Sequence, residues 1–484
     1  MSASNTKMHI GRCASALVLS AVCVFGGASS GHAQPPSSAR VAAGNLHSIK
    51  AVLDTSRTET TATPPLTAEL LAPKVFEPQS QSPKNSDNQT LVVTPTAAPL
   101  PDRLYNAKAI GSFLQRLQGK LDQTLHVVQI GDSHTAGDLF TGAWRSEGQQ
   151  RYGRGGRGVL PAGRPYRGYM TMGVTAGQTD GWTTNSLMGR QYSKDGPALG
   201  FTGFTQTARI SGAKLTLAAD NSNFTFDKFS LCGVTGPEMG AVRVILGSVT
   251  QEFSFSAPKI DAACFDVLSS NLESRVEVET LSDQPVSLTS WTTMRSSGGL
   301  IISNLGVVGS RFHHFARNSD TVLARELTRT RPDLIVVAFG TNEGYDPDLR
   351  IENAAAAMRA QIERIRKLLG YKVPFMLIGP PDVVTQKHDV ALPNFPETVV
   401  CANGWFVPGN IMRMRQMEID LAMQMDLAFW DLQGAMGGPC SSLSWVAQGM
   451  QSKDHVHFTA IGGGVLGRLL AADLDQARVE LTGG

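Results

Sequence analysis

Near-continuous apolar runs at 125–130, 300–305, 333–339, 373–379 and 427–432 alternate with helix-length amphipathic segments. The segments fall at 105–121, 138–152, 314–330, 349–369, 408–426 and 460–478. Strands that are apolar throughout are buried on both faces, as in a parallel sheet covered by helices. Right-handed crossovers then predict a three-layer α/β/α sandwich around a five-stranded parallel sheet. On the helix 408–426, Met412, Met414, Met417, Met423 and Met425 read as core packing.

Residues 164–299 follow a different rule. Runs such as Ala213-Lys214-Leu215-Thr216-Leu217 and Ser274-Arg275-Val276-Glu277-Val278-Glu279 alternate apolar and polar positions. Period two marks antiparallel strands with one buried face. The expectation is an all-β sandwich (164–299) inserted into a discontinuous α/β domain (102–163 and 300–484). Trp182, Tyr192 and Trp291 are either sugar-stacking platforms or packing residues of this sandwich. The Gly- and Arg-rich stretch before it carries Arg151, Arg154, Arg157, Arg164 and Arg167. It reads as a surface loop with solvated arginines, or as a set of backbone nests for an acidic glycan.

Ahead of Asp102 the chain is not globular in pattern. Lys7 and Arg12 precede an apolar run that ends in small residues before Gln34. This reads as a signal peptide over 1–33, with an uncleaved anchor as the alternative. Residues 34–101 are rich in Pro, Ser and Thr and read as a disordered linker. The protein is therefore expected in the periplasm or outside the cell, with no membrane span once the signal is removed.

Composition narrows the class. A net charge of +2 over 484 residues argues against a nucleic-acid binder. No motif supports a metal or nucleotide, so no cofactor is expected. Of six cysteines, Cys13 and Cys23 leave with the signal. Cys232, Cys264, Cys401 and Cys440 allow three pairings. Cys232–Cys264 and Cys401–Cys440 are favoured, because each closes a loop inside one expected domain.

The candidate chemistry lies at strand ends. The run 125–130 stops at Gly131-Asp132-Ser133-His134, which puts a hydroxyl at the carboxyl edge of the sheet. A serine needs a base, usually histidine, held by a carboxylate. Asp454 and His457, three residues apart before the last helix, offer both. Gly309 and Asn342 sit in turns after two further apolar runs. With the Ser133 N–H they could supply the donors of an oxyanion hole.

Gly131-Asp132-Ser133, Gly309, Gly340-x-Asn342 and Asp454-x-x-His457 resemble, in order, the four motif blocks of SGNH/GDSL hydrolases. The Gln129–His134 and Gly340–Glu343 blocks resemble the peptidoglycan O-acetylesterase branch. So does the Tyr152–Gly158 stretch with a long insertion after it. The resemblance implies a flavodoxin-like sheet. It implies Ser133 as nucleophile, His457 as base, Asp454 as orienting acid, and Ser133, Gly309 and Asn342 as oxyanion donors. Gly131, Asp132 and Gly340 then shape the turns, and the insert is a jelly-roll carbohydrate-binding module. His134, Glu343 and His455 are candidate substrate contacts; His134 is also an alternative base, disfavoured because adjacent side chains diverge, while Glu343 reads otherwise as a helix cap and His455 as a solvated residue.

The function expected is an exported serine esterase that removes O-acetyl groups from a polysaccharide, peptidoglycan first. One alternative is an O-acetyltransferase or deacetylase acting on an exopolysaccharide such as cellulose or alginate. Another is a non-catalytic glycan-binding protein. The sequence leaves the oligomeric state open.

Overall fold

Successive side chains of a strand point to opposite faces, and both faces of the strand Thr124–Gly131 are covered. In the computed structural model, which describes residues 103–386 and 398–483, Leu125 and Val127 join one buried cluster and Val128 and Ile130 another. The helices Leu139–Tyr152 and Ala460–Thr482 roof the first cluster. Asp320–Thr330, Ile351–Leu369 and Gly409–Met425 roof the second. Each fully buried aliphatic side chain contributes about 1.5–3 kcal/mol relative to exposure, and the polar interruptions His126 and Gln129 are tolerated because they bond Ser303 and Thr135. The expected signal (1–33) and linker (34–101) lie outside the described residues.

The sheet runs Leu104–Tyr105, Ala428–Trp430, Phe375–Ile378, Leu334–Ala338, Thr124–Gly131, Gly299–Gly306. The last five strands are parallel, and Leu104–Tyr105 adds an antiparallel edge. Numbered along the chain, the parallel strands lie in the order 2-1-3-4-5, the flavodoxin-like order. Its switch point falls between the first strand, Thr124–Gly131, and the third, Leu334–Ala338, where such sheets place their ligands. The expected helix 105–121 is instead a 3₁₀ turn, Ala107–Ile110, and one α turn, Gly111–Leu114. Asn106 and Gly119 take left-handed φ of 50° and 54° and bracket it. The apolar positions Ile110, Phe113, Leu114 and Leu117 are buried all the same.

Two antiparallel sheets fall in sequence between the first two parallel strands. One runs Val249–Ser254, Ala241–Leu246, Arg275–Thr280, Lys214–Ala219, Val174–Gln178. The other runs Asp261–Glu273, Phe226–Thr235, Val286–Met294, Phe204–Ala208, Trp182–Ser186, and Gly158–Leu160 also pairs with Val286–Met294. Their inner faces share one core of Val, Leu and Phe side chains. Trp291 is 1 % exposed within that core. It is a packing residue and cannot stack on a sugar. Cys232 and Cys264 face each other across two strands and are bonded, as are Cys401 and Cys440.

The sheets are fastened to the α/β layers by buried polar contacts. Glu326, on a helix of the α/β part, accepts from Thr289 Oγ1, Ser290 Oγ and Phe201 N. Burial raises its pKa against the pull of those donors. Arg157, expected to be solvated, is fully buried against Asp138, Thr171 and Asn304. Arg145 pairs with the same Asp138. Burial alone would raise the Asp138 pKa, but the two guanidinium groups hold it at about 2. A carboxylate between two cations explains why an arginine of this Gly-rich stretch turns inward.

Candidate functional site

Register brings three turns to one place. Gly131 lies opposite Gly306 on one neighbouring strand and opposite Ala338 on the other. The turns that begin at Asp132, Val307 and Phe339 therefore leave the sheet side by side. A Cβ at Gly131 would sit 2.6 Å from the Ala338 carbonyl, and one at Gly306 would collide with the backbone of Ala136. Asp132 caps the one-turn helix Ser133–Ala136, its Oδ1 accepting from His134 N at 3.0 Å. Ser133 is thus the first residue of a helix that begins where the strand ends.

The loop before the helix Ala460–Thr482 brings the other two groups. Asp454 Oδ1 accepts from Val456 N and His457 N, both at 3.0 Å. Asp454 Oδ2 lies 2.7 Å from His457 Nδ1, and His457 Nε2 lies 2.9 Å from Ser133 Oγ. Burial would raise the Asp454 pKa, but the His457 ring and two backbone N–H groups hold it at about 2. A carboxylate at Nδ1 leaves Nε2 free to accept the serine proton. Hydroxyl, imidazole and carboxylate, 324 residues apart at their extremes, form one chain of hydrogen bonds.

Gly309 and Asn342 lie on the two flanking turns. Val307 N donates to the Gly131 carbonyl at 3.0 Å, which ties the first turn to the end of the serine strand. Gly309 takes φ +75°, a conformation that favours glycine. Asn342 Nδ2 donates to the Ser310 carbonyl at 2.9 Å and keeps a second N–H. Gly340, with φ 112°, packs next to Glu418 and Pro380.

The three candidate substrate contacts are placed differently from one another. Glu343 is buried; its Oε1 accepts from Phe312 N and its Oε2 from Gly340 N. It is a cap and does not line a cleft. Burial, with Asp132 nearby, pushes it up to about 7 against those donors. His455 takes a left-handed φ of 57° and lays its ring 4.0 Å from that of Trp405. Burial lowers its pKa. His134 keeps 9 % of its side-chain surface exposed, with Nδ1 3.3 Å from Asp132 Oδ1 and Nε2 2.9 Å from the Val456 carbonyl. Both of its nitrogens face protein groups and are not offered to a sugar.

Three neighbours escaped the sequence reading. Gln451 Nε2 donates to the Val456 carbonyl at 3.2 Å. Trp405 sits on the segment that the Cys401–Cys440 bond ties down. Glu418 is buried near Glu343 and Asp132, and its oxygens have no hydrogen-bond partner among the described residues. Burial and those two carboxylates raise its pKa well above the ordinary value. Only the even count of cysteines hinted that the Trp405 segment was anchored. Gln451 and Glu418 left no signal, because one lies in a loop and the other in a stripe of methionines. Among the described residues no cluster of His, Cys, Asp and Glu is arranged to hold a metal, and no helix is long and apolar enough to cross a membrane.

No protein-family model and no curated protein sequence matches the chain. Solved structures do. The chain is similar to one described as "Peptidoglycan O-acetylesterase in action, 5 min", with a TM-score of 0.61 and 24 % identity, over 78 % of this chain and 96 % of that one. A family two carbohydrate esterase from Clostridium thermocellum in complex with cellohexaose overlays much less closely, with a TM-score of 0.25 and 9 % identity over 65 % and 97 % of the two chains. The acetyl xylan esterase AlAXEase gives a TM-score of 0.25 and 19 % identity over 36 % and 78 %. The chain thus shares its fold with that peptidoglycan O-acetylesterase, and its parallel strands take the flavodoxin-like order expected from the sequence.

Proposed function

We propose that this protein is an exported serine esterase that removes O-acetyl groups from a polysaccharide, with peptidoglycan as the first-choice substrate. The observation that carries the reading is the pair of contacts at His457, 2.9 Å to Ser133 Oγ and 2.7 Å to Asp454 Oδ2. In this reading His457 takes the Ser133 proton as Oγ attacks the ester carbonyl. Asp454 holds the ring and stabilises the imidazolium. The Ser133 and Gly309 N–H groups and the free N–H of Asn342 receive the oxyanion. His457 then protonates the departing sugar oxygen, which leaves as a hydroxyl, and water, activated by the same imidazole, releases acetate from Ser133.

The fold shared with a peptidoglycan O-acetylesterase supports the choice of polymer. The two disulfides support export, since they persist in oxidising compartments. The test is acetate release from O-acetylated peptidoglycan, acetylated xylan and acetylated cellulose by the purified chain and its Ser133→Ala variant. The reading expects release from peptidoglycan above the other two, abolished in the variant. Equal release by both proteins would overturn the role of Ser133. Acetylated glycan in place of free acetate would move the reading to acetyl transfer.

A further inference from the structure

The residue after Ser133 carries an imidazole that this reaction does not use. His134 Nε2 lies 2.9 Å from the carbonyl oxygen of Val456, immediately before His457. A carbonyl only accepts, so Nε2 carries a proton. On the other side, Nδ1 faces Asp132 Oδ1 at 3.3 Å. The ring lies 5.4 Å from that of His457 at an interplanar angle of 24°, and Phe458 packs 5.1 Å away.

The hydrogen bonds inside the His457 loop are local. Asp454 accepts from the two N–H groups that follow it, His455 N donates to the Ser452 carbonyl, and Ser452 N donates to the His457 carbonyl. These bonds give the loop its shape but do not place it against the sheet. Besides the His457–Ser133 contact itself, the His134–Val456 bond ties the loop to the turn that bears the nucleophile.

We propose that His134 is a positioning residue: it clamps the Val456 carbonyl to the Asp132 carboxylate and so sets His457 Nε2 on the Ser133 hydroxyl. The proposal rests on the esterase reading above. Asp132, Asp454 and His457 face the ring, with Glu343 and Glu418 behind Asp132. Burial alone would lower the His134 pKa. The hydrogen bond and charge of Asp132, the Val456 carbonyl and Asp454 outweigh it, and the net direction is up. An imidazolium suits a ring with an acceptor at each nitrogen.

Three variants separate the two ends of the clamp. A glutamine amide nitrogen stands where Nε2 stands and can still donate to the Val456 carbonyl; an asparagine amide reaches only the Nδ1 position. His134→Asn and His134→Ala should lower kcat about 10- to 100-fold with KM changed less than about twofold, since small misplacement of a base is costly. His134→Gln should stay within about threefold of the parent. The rate at which a fluorophosphonate labels Ser133 should fall in the same order, and it needs no glycan. Variants that all stay within about threefold, or a His134→Asn protein more active than His134→Gln, would overturn the proposal. If His134→Ala does not fold, the Gln and Asn proteins decide. A wrong choice of polymer leaves the labelling comparison standing. A parent chain whose Ser133 is not labelled at all ends the esterase reading and this one with it.

Discussion

The two halves of the site are built by different means. The serine half belongs to the sheet. Ser133, Gly309 and Asn342 stand on turns from three adjacent strands whose ends are aligned by register. Beneath them the side chains of Asp132 and Glu343 are buried and bonded to backbone N–H groups. The histidine half belongs to a loop. His457 and Asp454 keep 44 % and 31 % of their side-chain surface exposed, and the loop turns through a left-handed His455. A strand end is placed by many cooperative backbone bonds. A loop end is placed by a few side-chain contacts, here through the Val456 carbonyl. Damage to the groups that support the first half should therefore act through the fold, and damage to those that support the second through alignment.

Substitutions that sharpen this contrast span a wide range. Ser133→Ala and His457→Ala should each lower kcat by about 10⁶, the scale seen when a nucleophile or its base is removed from a serine-hydrolase triad. Asp454→Ala should cost about 10⁴, less because the imidazole survives and only its orientation is lost. All three are read from initial rates of acetate release, with thermal melts to show that the proteins remain folded. Asn342→Ala, on the sheet side, removes one of the proposed oxyanion donors and should cost about 10²–10³ in kcat. It should also lower the melting temperature, because it frees the Ser310 carbonyl.

How much of this was legible in the sequence follows the same division. The parallel strands show as near-continuous apolar runs, because burial on both faces admits a polar side chain only where it finds a partner, as His126 does at Ser303 and Gln129 at Thr135. The serine half followed from them, since each turn comes directly after such a run. The histidine half showed only as Asp454-x-x-His457. Its meeting with Ser133 depends on tertiary placement that no local pattern encodes. His134 drew notice for its position, but its use is set by a carbonyl 322 residues away. Arg157 reads as solvated from sequence because nothing near it marks Asp138 and Asn304 as its partners. The segment 105–121 reads as one helix because its apolar spacing is helical, although the backbone turns at Asn106 and Gly119.

A smaller effect probes the buried acids under the serine half. Glu343 and Glu418 have pKa values raised above their ordinary 4.5, Glu343 to about 7. The folded state therefore holds protons that the unfolded chain releases. Stability is full below about pH 4.5 on this account and falls as pH rises through about 7. Glu418→Gln removes one of the groups that must take up a proton to be buried. It should leave the melting temperature near that of the parent at pH 5 and raise it by a few degrees at pH 8, read by calorimetry. Equal shifts at both values would mean that Glu418 does not titrate in this window.

The central claim is that Ser133 and His457 act as one unit although they come from differently built halves. The most direct test is the Ser133→Ala/His457→Ala double variant, with acetate release measured against each single variant. The account predicts that the double loss matches the single losses, since either removal already disables the pair. Losses that multiply would show two groups working independently, and would contradict it.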